Sequence, residues 1–366
     1  MKLALICRPL RFYGGVETAT AGLLGELLRR GHQIDLLTTP EQGPCPGVTV
    51  RRLAVLRQPS VLRILSFALA ARRAVADSAY DIVQSHERGL HQDVYRAGEG
   101  VHDAYLGAMG RRWAKITPHH RLVCALEKRI FRLRSARHIV AISRGGKAEI
   151  ERLYGTPAER VSLIYNGIDL ERFHPGNRAR FGQATRDALN LGADSWVILF
   201  VGSGFERKGL RPLLEGFARV ADARCQLVVA GRGNTRPYEE VARRLGIDAQ
   251  VTWVGPYRDV ERLYSAADVV ALPAWYEPFG NVHLEALAAG VPVLTSARAG
   301  GSEVIRHGES GWVVSAPSPE AIAEGFRALR ETDPGALAEA ARASAEPYTC
   351  GTQADRFEAL YGELKR

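Results

Sequence analysis

The chain has 366 residues, 46% of them hydrophobic and 24% charged, with a formal net charge of +9. That length exceeds one ordinary core and predicts two domains with a cleft between them, while the lack of ~18 uninterrupted apolar residues argues against a membrane span. Five cysteines, Cys7, Cys45, Cys124, Cys225 and Cys350, stand singly, which argues against a disulfide frame or a metal cluster, and the basic balance asks for an anionic partner.

KLALIC opens the chain and runs into a polar loop with no cleavable apolar stretch behind it, so it reads as a first strand and the protein is expected in the cytoplasm. FYGGVETATAGLLGELLRRGH follows. Gly14 and Gly15 permit close backbone approach and Glu17 begins a helix, an anion-tolerant turn at the carboxyl end of a strand. QIDLL, DIVQS and RHIVAIS read as further strands separated by segments of helical period.

Between the last two of these lies SHERGLHQDVYRAGEGVHDAYL, in which Glu99 and His102 flank Gly100 after the strand-like DVYRAG. An acid and a titratable ring at a strand end suit substrate contact, and they equally suit a hydrogen-bonded core acid and a satisfied histidine. Cations then cluster at Arg111, Arg112, Lys115, Arg121, Lys128, Arg129, Arg132, Arg134 and Arg137. Trp113, Ile116, Leu122, Val123, Leu126, Ile130 and Phe131 interleave with them, a composition expected of a surface lying on anionic lipid headgroups. A solvated helix face or a nucleic-acid surface has the same charges, although no nucleic-acid motif accompanies them.

YNGIDLERFHP, residues 165–175, carries Gly and Pro between two strand series and is the expected domain boundary. WVILFVG, CQLVVAG, QVTWVG, DVVALP and VPVLTS form the second series. Continuous apolar strands alternating with helices are the mark of parallel sheets covered on both faces, so two doubly wound α/β domains are predicted. After the first of these strands, Arg207 and Lys208 stand at a helix start, where they oppose the dipole unless an anion binds; a solvated basic loop is the alternative. After DVVALP, the loop AWYEPFGN and the helix VHLEALAAG place Glu277 and Glu285 around Gly280 and Asn281. Ligands collect at that end of open α/β sheets, and carboxylates there accept hydrogen bonds from paired hydroxyls. A sugar nucleotide, with hydroxyls at both ends and a diphosphate between, fits this pattern; so do two carboxylates that merely complement a helix dipole. No Asp-x-Asp metal motif, GxGxxG or Walker motif is present. The final stretch, YTCGTQADRFEALYGELKR, is an amphipathic helix with Phe357, Leu360, Tyr361 and Leu364 on one face.

GGVE near the start, NGID with Phe173 beyond it, the Arg207–Lys208–Gly209 turn, AADVV before Pro273, and Glu277 and Glu285 followed by ALAAGVPV together resemble retaining glycosyltransferase family 4, of the GT-B fold. The resemblance implies two facing Rossmann-like domains: residues 1–168 with 348–366 for the acceptor, and residues 169–347 for the nucleotide sugar, the last helix crossing back to the first domain. It implies that Glu277 contacts donor sugar hydroxyls, that Glu285 holds the ribose diol, and that Lys208 with Arg207 neutralises the diphosphate. Phe279, Gly280 and Asn281 would line the same site, and Gly15 would lend backbone to the phosphate. Ser203 stands where many members have Arg, which shifts weight onto Arg207. The region around Glu99 is more narrowly similar to the lipopolysaccharide inner-core glucosyltransferases that modify heptose, which implies an acceptor-side role for Glu99 and His102, with Asp103 as a lesser substitute for Glu99. The implied reaction is metal-independent transfer of a hexose, glucose from a uridine diphosphate donor, onto a lipopolysaccharide core or similar lipid-linked glycan, by a cytoplasmic enzyme resting on the inner membrane face without a cofactor. A sugar-nucleotide epimerase of the same architecture and a nucleic-acid-binding protein are the rival classes.

Overall fold

The computed structural model describes every residue except 11–14, 77–78, 134, 193 and 366, and only the backbone of residues 15 and 16. The chain divides into two compact units, Met1–Gly167 with Cys350–Arg366, and Ile168–Thr349.

In the first unit the strands are β1 (Lys2–Ile6), β2 (Gln33–Thr38), β3 (Thr49–Arg52), β4 (Ile82–Ser85), β5 (Gln92–Arg96), β6 (Ala136–Ala141) and β7 (Val161–Leu163). They form one parallel sheet in the order β3-β2-β1-β4-β5-β6-β7. Around it run α1 (Gly15–Arg29), α2 (Ser60–Ala76), α3 (His102–Ala108), α4 (Pro118–Phe131) and α5 (Arg144–Tyr154). Their ends follow from local chemistry. The Ser143 hydroxyl accepts from the amide of Gly146 to start α5, and Gly155 in the left-handed region (φ 62°) stops it; Thr117 caps α4 ahead of Pro118.

The second unit holds β8 (Trp196–Val201), β9 (Cys225–Ala230), β10 (Val251–Gly255), β11 (Val269–Leu272), β12 (Val293–Ser296) and β13 (Gly311–Val314), parallel in the order β10-β9-β8-β11-β12-β13. Its helices are α6 (Gln183–Ala188), α7 (Leu210–Phe217), α8 (Arg236–Arg244), α9 (Val260–Ala266), α10 (Val282–Ala288), α11 (Pro319–Glu331) and α12 (Pro334–Ala345). The core gathers Ile198 and Phe200 of β8, Leu213, Leu214 and Phe217 of α7, and Ile322 and Phe326 of α11. Both sheets are doubly wound, with the strand order reversing at β1/β4 in the first and β8/β11 in the second.

The last helix, α13 (Cys350–Lys365), belongs to the first unit, where Ala354, Phe357, Leu360 and Tyr361 join the core beside Leu23 and Leu27 of α1. Among the described residues no helix is long and apolar enough to cross a membrane.

Candidate functional site

At the reversal point of the second sheet, β8 and β11 are neighbours and the loops leaving their carboxyl ends lie side by side. Two glycines make this possible. A Cβ on Gly202 would stand 2.6 Å from Nζ of Lys208, and one on Gly209 (φ 74°) would stand 1.9 Å from the Pro273 carbonyl oxygen. The loops are then tied together: the Trp275 amide donates to the Arg207 carbonyl at 2.9 Å, and the Arg207 side chain donates through Nη1 to the Tyr276 carbonyl at 2.8 Å. Glu277 is thereby delivered to both cations, its Oε2 lying 2.9 Å from Arg207 Nη1 and 3.1 Å from Lys208 Nζ. Lys208 and Glu277 are buried. Burial opposes the charge on Glu277, but Lys208 and then Arg207 overcome it and hold the carboxyl at about 2. The conflict between cations and helix dipole at α7 is therefore already answered within the chain.

The Glu277 loop is clasped to the segment after β12: Gly300 N donates to Glu277 O at 2.8 Å, and Gly301 N to Phe279 O at 2.7 Å. Beneath them His283 is fully buried, with Nδ1 2.6 Å from the Gly280 carbonyl and Nε2 2.8 Å from the Thr295 hydroxyl. Burial pushes its pKa down to about 4, and because a carbonyl only accepts, the neutral ring carries its proton on Nδ1. Gly280 (φ 83°) has no room for a side chain, since a Cβ would meet that ring at 2.8 Å. Phe279 and Asn281 are buried beside it. Glu285 sits inside α10, accepting the Tyr264 hydroxyl at 2.6 Å, and burial raises its pKa. The two glutamates thus have opposite environments, one held ionised by cations and the other desolvated against a phenol.

In the first unit the reversal point lies between β1 and β4. Arg8 follows β1, Glu87 and Arg88 follow β4, and Glu99 follows β5. Arg8 Nε pairs with Glu87 Oε1 at 2.8 Å and its Nη2 with Glu99 Oε1, while Arg88 Nη1 reaches Glu99 Oε2 at 2.7 Å. Burial opposes the Glu99 charge, yet Arg8 and Arg88 pull the carboxyl down to about 2. His102, at the start of α3, stacks on His120 with Nε2 2.8 Å from its Nδ1. Burial, then Arg88 and His120, push its pKa down to about 4, so the ring is neutral at neutral pH. Asp103 is engaged by Lys115 at 2.5 Å. Gly15 is the first residue of α1, and Gly14 lies outside the described residues.

Sequence reasoning missed Arg8, Arg88, Glu127 and Arg96. Arg96 ends β5 fully buried. Its Nη2 donates to Asn166 Oδ1 at 2.5 Å, its Nε and Nη1 have no hydrogen-bond partner among the described residues, and burial pulls its pKa down to about 10. The available signal was an arginine closing each of the runs KLALIC-Arg8 and DVY-Arg96 at the ligand end of a strand.

The basic stretch is only partly as expected. Arg111, Arg112, Arg121, Lys128, Arg129, Arg132 and Arg137 are exposed, and Arg134 lies outside the described residues. Of the apolar residues expected to interleave with them, Trp113 and Ile116 are 69% and 76% exposed. Val123, Leu126, Ile130 and Phe131 turn inward, because the apolar face of α4 is needed to cover the sheet.

Residues 13–172 match the family model described as Glycosyltransferase Family 4, and residues 183–346 the model described as Glycosyl transferases group 1. A probable transglycosylase of Burkholderia thailandensis is 31% identical over 342 residues, 92% of this chain and 89% of its own. The chain belongs to glycosyltransferase family 4. This transferase is also 25% identical over 320 residues to the lipopolysaccharide glucosyltransferase WaaG of Escherichia coli, covering 86% of each chain. A crystal structure of WaaG has the same fold, with a TM-score of 0.86 over 98% of this chain and 99% of that one at 24% identity. HepE of Anabaena, solved in complex with UDP-glucose, matches with a TM-score of 0.74 over 99% of this chain and 100% of its own at 19% identity. The GT-B architecture of this glycosyltransferase follows from the two parallel sheets together with these likenesses.

Proposed function

We propose that this glycosyltransferase moves glucose from UDP-glucose, with retention at the anomeric carbon, onto a sugar of a lipopolysaccharide inner core or a similar lipid-linked glycan. One observation carries the donor half: Arg207 and Lys208 converge with Glu277 at the reversal point of the second sheet, where a diphosphate leaving group needs positive charge and a sugar needs a fixed acceptor of hydrogen bonds. Glu277, ionised far below neutral pH, takes the hexose hydroxyls. Glu285, with Phe279, Gly280 and Asn281 before it, takes the ribose. Lys208 and Arg207 stabilise charge gathering on the departing oxygen without calling on a divalent ion.

Glu99, with His102, serves the acceptor. A carboxylate held at about 2 between two guanidinium groups is a weak base, which supports an orienting role in which its free lone pairs receive the acceptor hydroxyl. The proton then passes to the leaving phosphate as the hydroxyl attacks from the same face. The likeness to WaaG, a lipopolysaccharide glucosyltransferase, and to HepE bound to UDP-glucose supports donor and acceptor class. Exposed cations around Trp113 and Ile116 favour work at the anionic inner face of the cytoplasmic membrane.

The test is a donor screen on purified enzyme, measuring nucleotide released from a panel of nucleotide sugars with and without truncated lipopolysaccharide. Acceptor-dependent release from UDP-glucose is expected. Conversion of the donor with no acceptor present points to an epimerase, and tight salt-sensitive oligonucleotide binding without turnover refutes the reading.

A further inference from the structure

Glu127 is the buried carboxylate of a helix that otherwise turns cations outward. It has no exposed surface, and its contacts face the segment that carries Glu99 and the helix behind it. Its Oε1 receives Arg88 Nη2 and Nε at 2.9 and 3.1 Å. The His102 amide donates to Oε1 and Oε2 at 2.8 and 3.1 Å, and the Tyr154 hydroxyl donates to Oε2 at 2.8 Å. Arg88 passes the constraint on, its Nη1 reaching Glu99 Oε2 at 2.7 Å.

The segment from Ala97 to Val101 is therefore held at two points, through Arg88 at Glu99 and directly at the amide of His102. Between them Gly100 (φ 71°) gives the backbone little stiffness of its own. Burying a carboxylate is costly, and this one is compensated only because all its partners are in place. An apolar residue would pack at this position beside Val123, Leu126 and Ile130 without that cost; what it would not do is fix Arg88. We propose that Glu127 is a positioning residue for Glu99, acting through Arg88 and so setting where the acceptor hydroxyl is presented. The proposal rests on the acceptor-side role of Glu99 given above.

Its test uses the full chain with UDP-glucose as donor and lipopolysaccharide truncated to its inner core as acceptor, comparing Glu127→Ala, Glu127→Gln, Arg88→Met and Glu99→Gln, each checked for folding by thermal melt. Glu127→Ala and Arg88→Met should raise the acceptor KM about tenfold or more, the scale set by misplacing a reacting group, and leave the donor KM within about twofold. Glu127→Gln should recover most of the loss, since its amide oxygen still accepts from Arg88 and His102. The double variant Glu127→Ala/Arg88→Met should be no worse than Arg88→Met alone, because both act along one route. The proposal is overturned if Glu127→Ala changes donor and acceptor KM alike, if it lowers only the folded fraction, or if the two losses multiply. Should Glu127→Ala not fold, Arg88→Met and Glu127→Gln carry the same comparison. Glu99→Gln separates the two claims. An unchanged acceptor KM there refutes the role of Glu99, whereas a raised one beside a wild-type Glu127→Ala refutes only the role of Glu127.

Discussion

Replacing Lys208 by methionine keeps the buried stem and removes the ammonium that does most to hold Glu277 ionised. Lys208 and Arg207 together overcome the desolvation of that carboxyl and take it from an ordinary 4.5 to about 2, which corresponds to about 3 kcal/mol of stability at neutral pH. Because the folded group is the stronger acid, this contribution is whole above the unfolded value and is lost as the pH falls through about 2. In the variant Arg207 alone opposes burial, and its side chain is 26% exposed, so its field is partly screened. We expect half or more of the contribution to disappear, about 2 kcal/mol, or roughly 4–8 °C in the melting midpoint of a domain of this size. Differential scanning calorimetry at neutral pH, with and without UDP, reads both consequences: a lower midpoint, and a smaller rise on adding nucleotide. A midpoint within about 1 °C of wild type together with undiminished protection by UDP would refute the pairing and the diphosphate role assigned to it.

Tyr264→Phe should leave Glu285 buried without its hydroxyl partner, at a cost of about 1–3 kcal/mol. Burial raises the folded carboxyl above its unfolded value, so the deficit belongs to the ionised form and should be larger at pH 8 than at pH 5 in urea titrations; equal deficits would contradict the assignment. Arg96→Met removes a buried guanidinium whose Nε and Nη1 have no hydrogen-bond partner among the described residues, and the thermal midpoint should rise. A fall of several degrees would mean that Arg96 is compensated after all.

The sheets were legible because parallel strands covered on both faces are written as unbroken apolar runs, as in WVILFV of β8. The strands missed were β3, β7 and β13, all at sheet edges, where solvent or brevity removes the pattern: β3 is TVRR with both arginines exposed, and β7 is three residues long. Arg207, Lys208 and Glu277 stood out because glycines and charges at helix starts are local features. Their pairing was not readable, since it depends on β8 lying next to β11, a fact of strand order that no spacing encodes. The same holds for Arg8 with Glu99, 91 positions apart, and Arg88 with Glu127, 39 apart. In α4 the mixture of cations and apolar residues was legible, but the inward demand of Ile130 and Phe131 decided which residues solvent sees.

Two cations share one carboxylate at the reversal point of the second sheet, so the resting enzyme carries surplus positive charge there. On the reading proposed above, the nucleotide left behind bears one more negative charge than the intact donor once the proton it took from the acceptor has passed to solvent, and the attraction is then greatest for the spent molecule. Departure of that nucleotide then paces each cycle, and moderate salt, by weakening its hold, should quicken turnover at saturating donor even as it slows capture at low donor.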